Sequence, residues 1–481
     1  MGAPSRDRSA GAGSGRPERP EGAGRPGRRR LRAAVLVAVA CLAAQAVPAA
    51  ATATQPSAPG PEPERASARS AVDVPDFYDP PAQLPDVDGD LVRSEPLPLA
   101  LSLPGPHGPL PGEATRLMYK STDSSGRPVA VTGAYIEPSA AWKGEGPRPL
   151  VALAPGTMGQ GDQCSASLGL EHPFSFNGRT VSVGYEDIAV YRLLAAGVAV
   201  VVTDYAGLGA TDRLHTYVNR LDEGHAVLDA VRAARKVKGA SVTSGSRVGL
   251  YGYSQGGGAT ASAAELQPSY APDVELAGTY AGAPPADLTE VVKGIDGSAL
   301  AGALGWSVSG FVQSDPELEE IAEKNLNAEG KAALKDLSTR CVGDSILSHG
   351  FTRSEKWTTS GKPISDLIAS EPKLRATLDA QRIGRLKPAG PVRVATGTED
   401  DIVGHEQSRR LAVDWCGKGA DVTYKAVRLP NLGDGLLTNH VTPLLVDQGE
   451  AISWLTDRVS GEADGGAGAH GSGCAELPGQ P

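Results

Sequence analysis

Cysteine is scarce in this chain of 481 residues: five occur, at positions 41, 164, 341, 416 and 474. No CxxC pair is among them, and no His/Cys cluster has metal-ligand spacing, which argues against a structural zinc site. Long apolar sequence is equally rare. Apart from Ala33–Val47, no run is long and apolar enough to cross a bilayer. Internal repeats are absent, which leaves no basis for propeller blades. Positive charge is in deficit, with 46 Lys and Arg against 56 Asp and Glu and a formal net charge of −10. Nine of those arginines lie in residues 1–53 beside one Asp and two Glu, so the remainder of the chain carries −16. Such acidity disfavours nucleic acid and anionic membrane surfaces as partners.

The basic residues at the front have a different reading. Residues 1–27 are rich in Gly, Arg, Pro and Ser, and Arg28–Arg32 leads into the apolar run Ala33–Val47 and then Pro48–Ala53. Basic region, apolar region and small residues together predict a secretory signal peptide over 1–53, cut after Ala51 or Ala53. A membrane anchor would need a longer apolar run. The Arg-Arg-x-Leu core matches a twin-arginine signal only in part, which leaves the export route open. Cys41 does not read as a lipidation site, because the apolar run continues past it. The expected product is secreted and has no integral membrane segment. Its four cysteines, Cys164, Cys341, Cys416 and Cys474, suggest two disulfides, with three connectivities open.

With 40% hydrophobic and 21% charged residues, the rest suits a globular protein with a substantial core. Residues 54–75 read as a disordered linker, and Asp76 to about Gly112 as a proline-rich, loop-like stretch. Thr115–Lys120 and Val129–Ile136 alternate as an antiparallel hairpin about the turn Asp123–Gly126. Leu150–Ala154, Val198–Thr203, Val248–Tyr251, Leu276–Tyr280, Val392–Thr396 and Val422–Val427 read as buried strands. Asn219–Val237 reads as an amphipathic helix. The alternation predicts an α/β fold with a mostly parallel sheet covered on both faces. Helical sequence at Ala301–Trp306, Pro316–Asn327 and Ala328–Leu337 interrupts it. The expected organisation is a core over 76–284 and 387–460, a helical cap insertion over 285–386, and a Gly-rich tail over 461–481.

The densest chemical signal is Gly252-Tyr253-Ser254-Gln255-Gly256, set between a buried strand and a helix that opens on Gly256–Thr260. G-x-S-x-G in this context lifts a serine hydroxyl onto a strained strand-to-helix turn that only small flanking residues permit. The pattern alone arises easily in a chain with 60 glycines; its context makes it specific. Such a serine needs a base, and the base needs an acid, in the order serine, acid, histidine. Asp400 follows the strand ending at Gly397, with Glu399 and Asp401 as neighbouring alternatives. His440 lies between the last strand and a final helix expected over Pro443–Val459. Among the eight histidines, only His440 has both the order and the context. Oxyanion donors are expected from the backbone of Gln255 and from the Pro155–Thr157 loop, at Thr157 with Gly156 as the alternative.

On these residues the chain resembles the α/β-hydrolase fold, and within it the secretory lipase family of fungal lipase A, in a bacterial secreted branch. Ala154–Cys164 (APGTMGQGDQC), Val200–Gly209 (VVVTDYAGLG), Ala226–Arg232 (AVLDAVR), Thr398–Val403 and Asn439-His440 carry the resemblance, which spans most of 75–460. It implies a secreted carboxylester hydrolase acting on acylglycerols or other acyl esters, with a cap at 285–386, transient contact with a lipid–water interface, and no cofactor. It also implies a Cys164–Cys341 disulfide, leaving Cys416–Cys474 as the remaining pair. The fungal member places an acidic side chain near the first oxyanion position, where this chain has Gly156-Thr157, so a backbone donor is expected. Within the cap, Ala299–Phe311, including Trp306, is a candidate lining for an acyl tunnel. The alternatives are a peptidase or aminopeptidase of the same fold, and a non-catalytic binding protein on this scaffold.

Overall fold

Leu150–Ala154 and Val198–Val202 offer no polar face to water, and both lie wholly buried in the middle of a sheet. The computed structural model describes residues 2, 74–105, 109–172, 174–176, 181–184, 186–461 and 473–481. The expected signal peptide, the linker up to residue 73, residues 462–472 of the expected tail, His107 and His470 lie outside the described residues. The elements below belong to the unit Ala66–Pro481.

In chain order the strands are β1 (Leu91–Leu97), β2 (Gly112–Thr122), β3 (Pro128–Pro138), β4 (Leu150–Ala154), β5 (Phe174–Phe176), β6 (Val181–Val183), β7 (Ala199–Ala206), β8 (Val248–Tyr253), β9 (Leu276–Gly282), β10 (Val392–Gly397) and β11 (Val422–Val427). Among the described residues, nine of them form one sheet in the order β1-β2-β3-β7-β4-β8-β9-β10-β11, while β5 and β6 pair separately. The first three strands join antiparallel to one another and to β7. From β7 to β11 every neighbouring pair is parallel. β4 lies between β7 and β8, so the chain leaves β4 to one side and returns to build β8 on the other. That reversal opens a crevice at the carboxyl ends of β4 and β8, the usual ligand position in open α/β sheets.

Helices Arg220–Ala234, Gln255–Tyr270 and His405–Gly417 cover one face and share a core with β2, β4, β8 and β10. Asp187–Ala195 and Thr438–Ser460 cover the other, where Leu193 and Leu455 meet Val200 and Tyr251. The Asn219 side chain accepts from the N–H groups of Leu221 and Asp222, an N-cap worth about 1 kcal/mol. Between β9 and β10 the chain forms seven α-helices among the described residues, from Leu288–Ile295 to Pro372–Ala380. Their apolar faces gather in a core of their own around Leu304, Trp306, Leu337 and Trp357.

Two stretches differ from the sequence reading. Asp76–Gly112 is not all loop: Leu91–Leu97 is a strand carrying Pro96, which is tolerated because β1 is the edge strand. The final helix starts at Thr438, not Pro443, so His440 lies in its first turn rather than on the loop before it. Pro443 breaks one backbone bond inside that helix, and its ring packs against Gly397, where a Cβ would sit 2.6 Å from the proline Cγ.

Two disulfides fasten the periphery. Cys164–Cys341 ties the segment after β4 to the N-cap of Val342–His349 in the helical layer, and Cys416–Cys474 ties His405–Gly417 to the C-terminal segment. That segment buries Leu477, and Tyr424 Oη donates to the Pro481 carbonyl.

Candidate active site

Ser254 stands at the end of β8 and caps the helix Gln255–Tyr270 with φ 58° and ψ −123°, a conformation costly for any residue with a Cβ. Three backbones crowd this turn. A Cβ on Gly252 would meet the Gly256 carbonyl oxygen at 2.1 Å, and one on Gly257 would meet that of Gly282 at 2.1 Å. The Ser254 N–H donates to the Gly282 carbonyl at 2.9 Å, which pins the turn to β9.

The turn presents Ser254 Oγ 2.9 Å from His440 Nε2, and His440 Nδ1 lies 2.7 Å from Asp400 Oδ2. Asp400 Oδ1 accepts from the N–H groups of Ile402 and Val403, which fixes the plane of the carboxylate. His440 and Asp400 are buried, and Ser254 is partly open. Tyr253 Oη donates to the His440 carbonyl at 2.7 Å and so steadies the histidine's backbone. The neighbouring acids are placed otherwise: Glu399 is exposed, and Asp401 accepts from the Gly435 N–H.

Gln255 is the first residue of its helix, so its N–H has no intrahelical acceptor and points where the helix favours negative charge. Across the crevice, Pro155-Gly156-Thr157 leaves the end of β4. The N–H of Gly156, the alternative donor expected from that loop, donates to Glu186 Oε2 at 2.8 Å. Burial raises the Glu186 carboxyl to about 8.

A buried polar group behind these segments escaped sequence reasoning. Gln255 Nε2 lies 2.8 Å from both His215 Nε2 and Glu223 Oε1. Burial lowers His215 to about 4 and raises Glu223 to about 8, so both are uncharged at neutral pH. Glu223 had a legible signal: it stands three and four residues before Ala226 and Val227, on the helix's apolar stripe. His215, on an irregular loop, had none.

Ser254 and Gln255 open into a cavity roofed by the helical layer, with Val291, Leu304, Val308, Phe311, Ile368 and Ile402 among its lining. Among the described residues no charged side chain lines it. Trp306 departs from expectation: it is fully buried with Nε1 donating to the Leu337 carbonyl, and it belongs to the core of the layer rather than to the cavity wall. Glu317, Glu319 and Glu320 are exposed on the outside of the layer.

The other described histidines are engaged elsewhere. His225 stacks on Tyr270 at 3.7 Å, His349 meets Asp336, His405 opens a helix beside Tyr424, and His172 closes Ala166–Glu171. Among the described residues no three His, Cys, Asp or Glu side chains converge as metal ligands.

Comparison with known proteins gives a consistent picture. The family model described as secretory lipase matches residues 170–466. A probable inactive lipase of Mycobacterium tuberculosis is 28% identical over 80% of this chain and 82% of its own length. A secreted triacylglycerol lipase of Malassezia restricta is 26% identical over 83% of this chain and 82% of its own. Among solved structures, Candida antarctica lipase A in its closed state superposes with a TM-score of 0.67 at 21% identity, covering 80% of this chain and 86% of that one. The rice cell wall degrading esterase of Xanthomonas oryzae, bound to a ligand, gives 0.63 at 18% identity, covering 77% and 99%. These superpositions establish the α/β-hydrolase fold, with its mostly parallel sheet and helices on both faces.

Proposed function

The chain belongs to the secretory lipase family, and from that premise we propose that it is a secreted serine carboxylester hydrolase cleaving acylglycerol or other acyl esters. The observation that carries the reading is the hydrogen-bonded series Ser254–His440–Asp400 at the mouth of an uncharged, apolar cavity. In the proposed reaction Ser254 Oγ attacks the ester carbonyl carbon while His440 Nε2 takes its proton. Asp400 holds the imidazole and stabilises its charged form. The N–H groups of Thr157 and Gln255 receive the oxyanion, each donor worth on the order of 3 kcal/mol. As the tetrahedral intermediate collapses, His440 returns the proton to the leaving alcohol, and an acyl-enzyme remains. His440 then deprotonates a water that attacks the acyl carbon, and Ser254 regains its proton as the acid departs. The scheme calls for no cofactor. Residues 285–386 serve as the cap that shields the acyl group from water, and an oxidising, extracellular setting suits the two disulfides.

A second reading, binding without catalysis, draws on the probable inactive lipase of Mycobacterium tuberculosis. Against it stand the three hydrogen-bonded side chains in this chain. The deciding experiment is hydrolysis of p-nitrophenyl esters from C2 to C16 by the protein and by Ser254→Ala, with a fluorophosphonate as active-site probe. Turnover and labelling that both vanish in Ser254→Ala are expected. A wild type that neither turns over any ester nor takes the probe would leave the binding reading standing.

A further inference from the structure

The end of β7, the loop after it and the first turn of the helix Arg220–Ala234 send four buried side chains toward the two segments that carry the proposed oxyanion donors. Tyr205 Oη donates to the Pro155 carbonyl at 2.6 Å. Tyr217 Oη lies 2.8 Å from Thr157 Oγ1. His215 Nε2 lies 2.8 Å from the Gln255 side-chain nitrogen, and Glu223 Oε1 receives a second bond from that nitrogen. The rings pack on one another. His215 stacks on Tyr205 with centroids 5.7 Å apart, and Tyr217 meets His215 edge-on at 6.0 Å. One set of side chains thus grips both walls of the crevice, the loop after β4 and the first residue of the helix after β8.

The polarity of these bonds is determined by their partners. The Ala206 carbonyl, 3.0 Å from His215 Nδ1, can only accept, so Nδ1 carries the hydrogen. Nε2 is then a lone pair aimed at the Gln255 amide, which donates its other hydrogen to Glu223. Glu223 Oε1 also accepts from the Val218 N–H at 2.9 Å, so one oxygen holds both the loop and the glutamine. The backbone is strained where it delivers these groups: Tyr205 has φ 67° and Val218 φ 57°, left-handed values that residues other than glycine seldom adopt. A cluster serving only to bury the loop has no reason to send one bond from each of its four side chains to Pro155, Thr157 or Gln255.

We propose that Tyr205, His215, Tyr217 and Glu223 are positioning residues that hold the Pro155–Thr157 loop and Gln255 at the separation needed for their backbone N–H groups to meet one oxyanion. The proposal rests on the ester-hydrolase reading above. A preorganised donor pair loses its advantage when either member drifts, and a displacement of about 1 Å is enough to cost roughly a hundredfold in rate. Ground-state ester binding depends chiefly on the apolar side chains of the helical layer, such as Leu304, Val308 and Phe311, which that drift does not move.

The test uses the full mature chain and the variants Tyr205→Phe, His215→Phe and His215→Gln. Each is measured for kcat and KM on a p-nitrophenyl ester, for inhibition by an alkylboronic acid that forms a tetrahedral adduct on serine, and for its thermal midpoint. Tyr205→Phe and His215→Phe are expected to lower kcat by about tenfold or more, to weaken the boronic acid by a similar factor, and to leave KM within about twofold. His215→Gln is expected to recover most of the loss, because its amide oxygen still accepts from Gln255. Folded variants with unchanged kcat and unchanged boronic acid affinity would overturn the proposal, as would a rise in KM alone or a His215→Gln no better than His215→Phe. If His215→Phe does not fold, Tyr205→Phe decides, since it removes one oxygen and no packing. A wild type that hydrolyses no ester overturns the hydrolase reading and this proposal with it. That outcome is distinct from wild-type turnover with unaffected variants, which overturns the network alone.

Discussion

Gly256 lies so close to Ala154 that a Cβ at position 256 would sit 2.0 Å from the Ala154 carbonyl oxygen. That contact joins the helix behind Ser254 to the end of β4, from which the Pro155–Thr157 loop departs. The obstacle is backbone, so no rotamer change relieves it. Gly256→Ala is therefore expected to push the helix from the strand, lowering esterase activity by roughly a hundredfold or more and reducing the thermal midpoint. Gly258→Ala is the control: its Cβ would meet only the Pro285 ring at 3.0 Å, so a milder loss is expected. Equal, near-wild-type activity in both variants would contradict the account of the turn.

The cavity beside Ser254 predicts a chain-length effect. Val308 lines it from the helix Ala303–Val312 and is only partly buried, so a larger side chain there fills the cavity without overfilling the core beneath. Val308→Trp is expected to lower kcat/KM for C12–C16 p-nitrophenyl esters by about tenfold, a change worth about 1.4 kcal/mol, while C2–C4 esters change little. A uniform loss at all lengths would mean that the acyl chain lies elsewhere.

The parts of this molecule that were legible in its sequence share one property: their signal is local. Leu150–Ala154, Val248–Tyr251 and Val422–Val427 are short apolar runs with turn residues nearby, and Ser254 is flanked by the glycines its backbone requires. His440 and Asp400 were placed by chain order relative to such strands. What was missed depends on distant partners. β1 hid behind Pro96, which is acceptable because, among the described residues, no strand lies beyond it. His215 and Tyr205 gain their meaning from Gln255 and Pro155, 40 and 50 residues away along the chain. The start of the last helix was misread because Pro443 resembles a first-turn proline, whereas the ring is accommodated by the missing side chain of Gly397.

Stability is expected to fall as pH rises from about 5 to 8. Burial raises Glu186 and Glu223 to about 8 and Asp204 to about 6, all above the unfolded carboxyl range. A carboxyl whose folded value is raised holds its proton longer in the folded state. Its contribution is complete below the unfolded value and is lost as pH climbs through the folded one. Each such group contributes a slope of up to about 1.4 kcal/mol per pH unit in that window. Carboxyls with lowered values, such as Asp123 and Asp336, act below about pH 4. The buried His215 and the partly buried His225, whose values are lowered, oppose the trend only below about 6.5. There the raised carboxyls, with Asp162 and Asp187 at about 7 among them, outnumber them. Calorimetric midpoints measured from pH 5 to 9 should decline, and Glu186→Gln should flatten the decline. A midpoint that rises from pH 5 to 8 would refute this assignment.

Asp400→Asn tests the relay through its hydrogen bonds rather than its charge alone. Asp400 Oδ1 is claimed by the N–H groups of Ile402 and Val403, at 3.1 and 3.0 Å. An asparagine must therefore turn its oxygen toward those donors and its NH2 toward His440 Nδ1. Facing a donor, Nδ1 becomes the acceptor and the ring hydrogen moves to Nε2, 2.9 Å from Ser254 Oγ. In that tautomer Nε2 has no lone pair to receive the serine proton. The expected result is a loss of roughly 10³–10⁴ in kcat with little change in KM, a folded protein, and a fluorophosphonate labelling rate reduced in parallel, since labelling needs the same activated oxygen. Added hydroxide should restore part of the rate, because raising the pH deprotonates the serine without His440 as base. A kcat within tenfold of wild type would remove Asp400 from the relay and direct attention to Asp401, whose carboxylate already reaches the loop at Gly435.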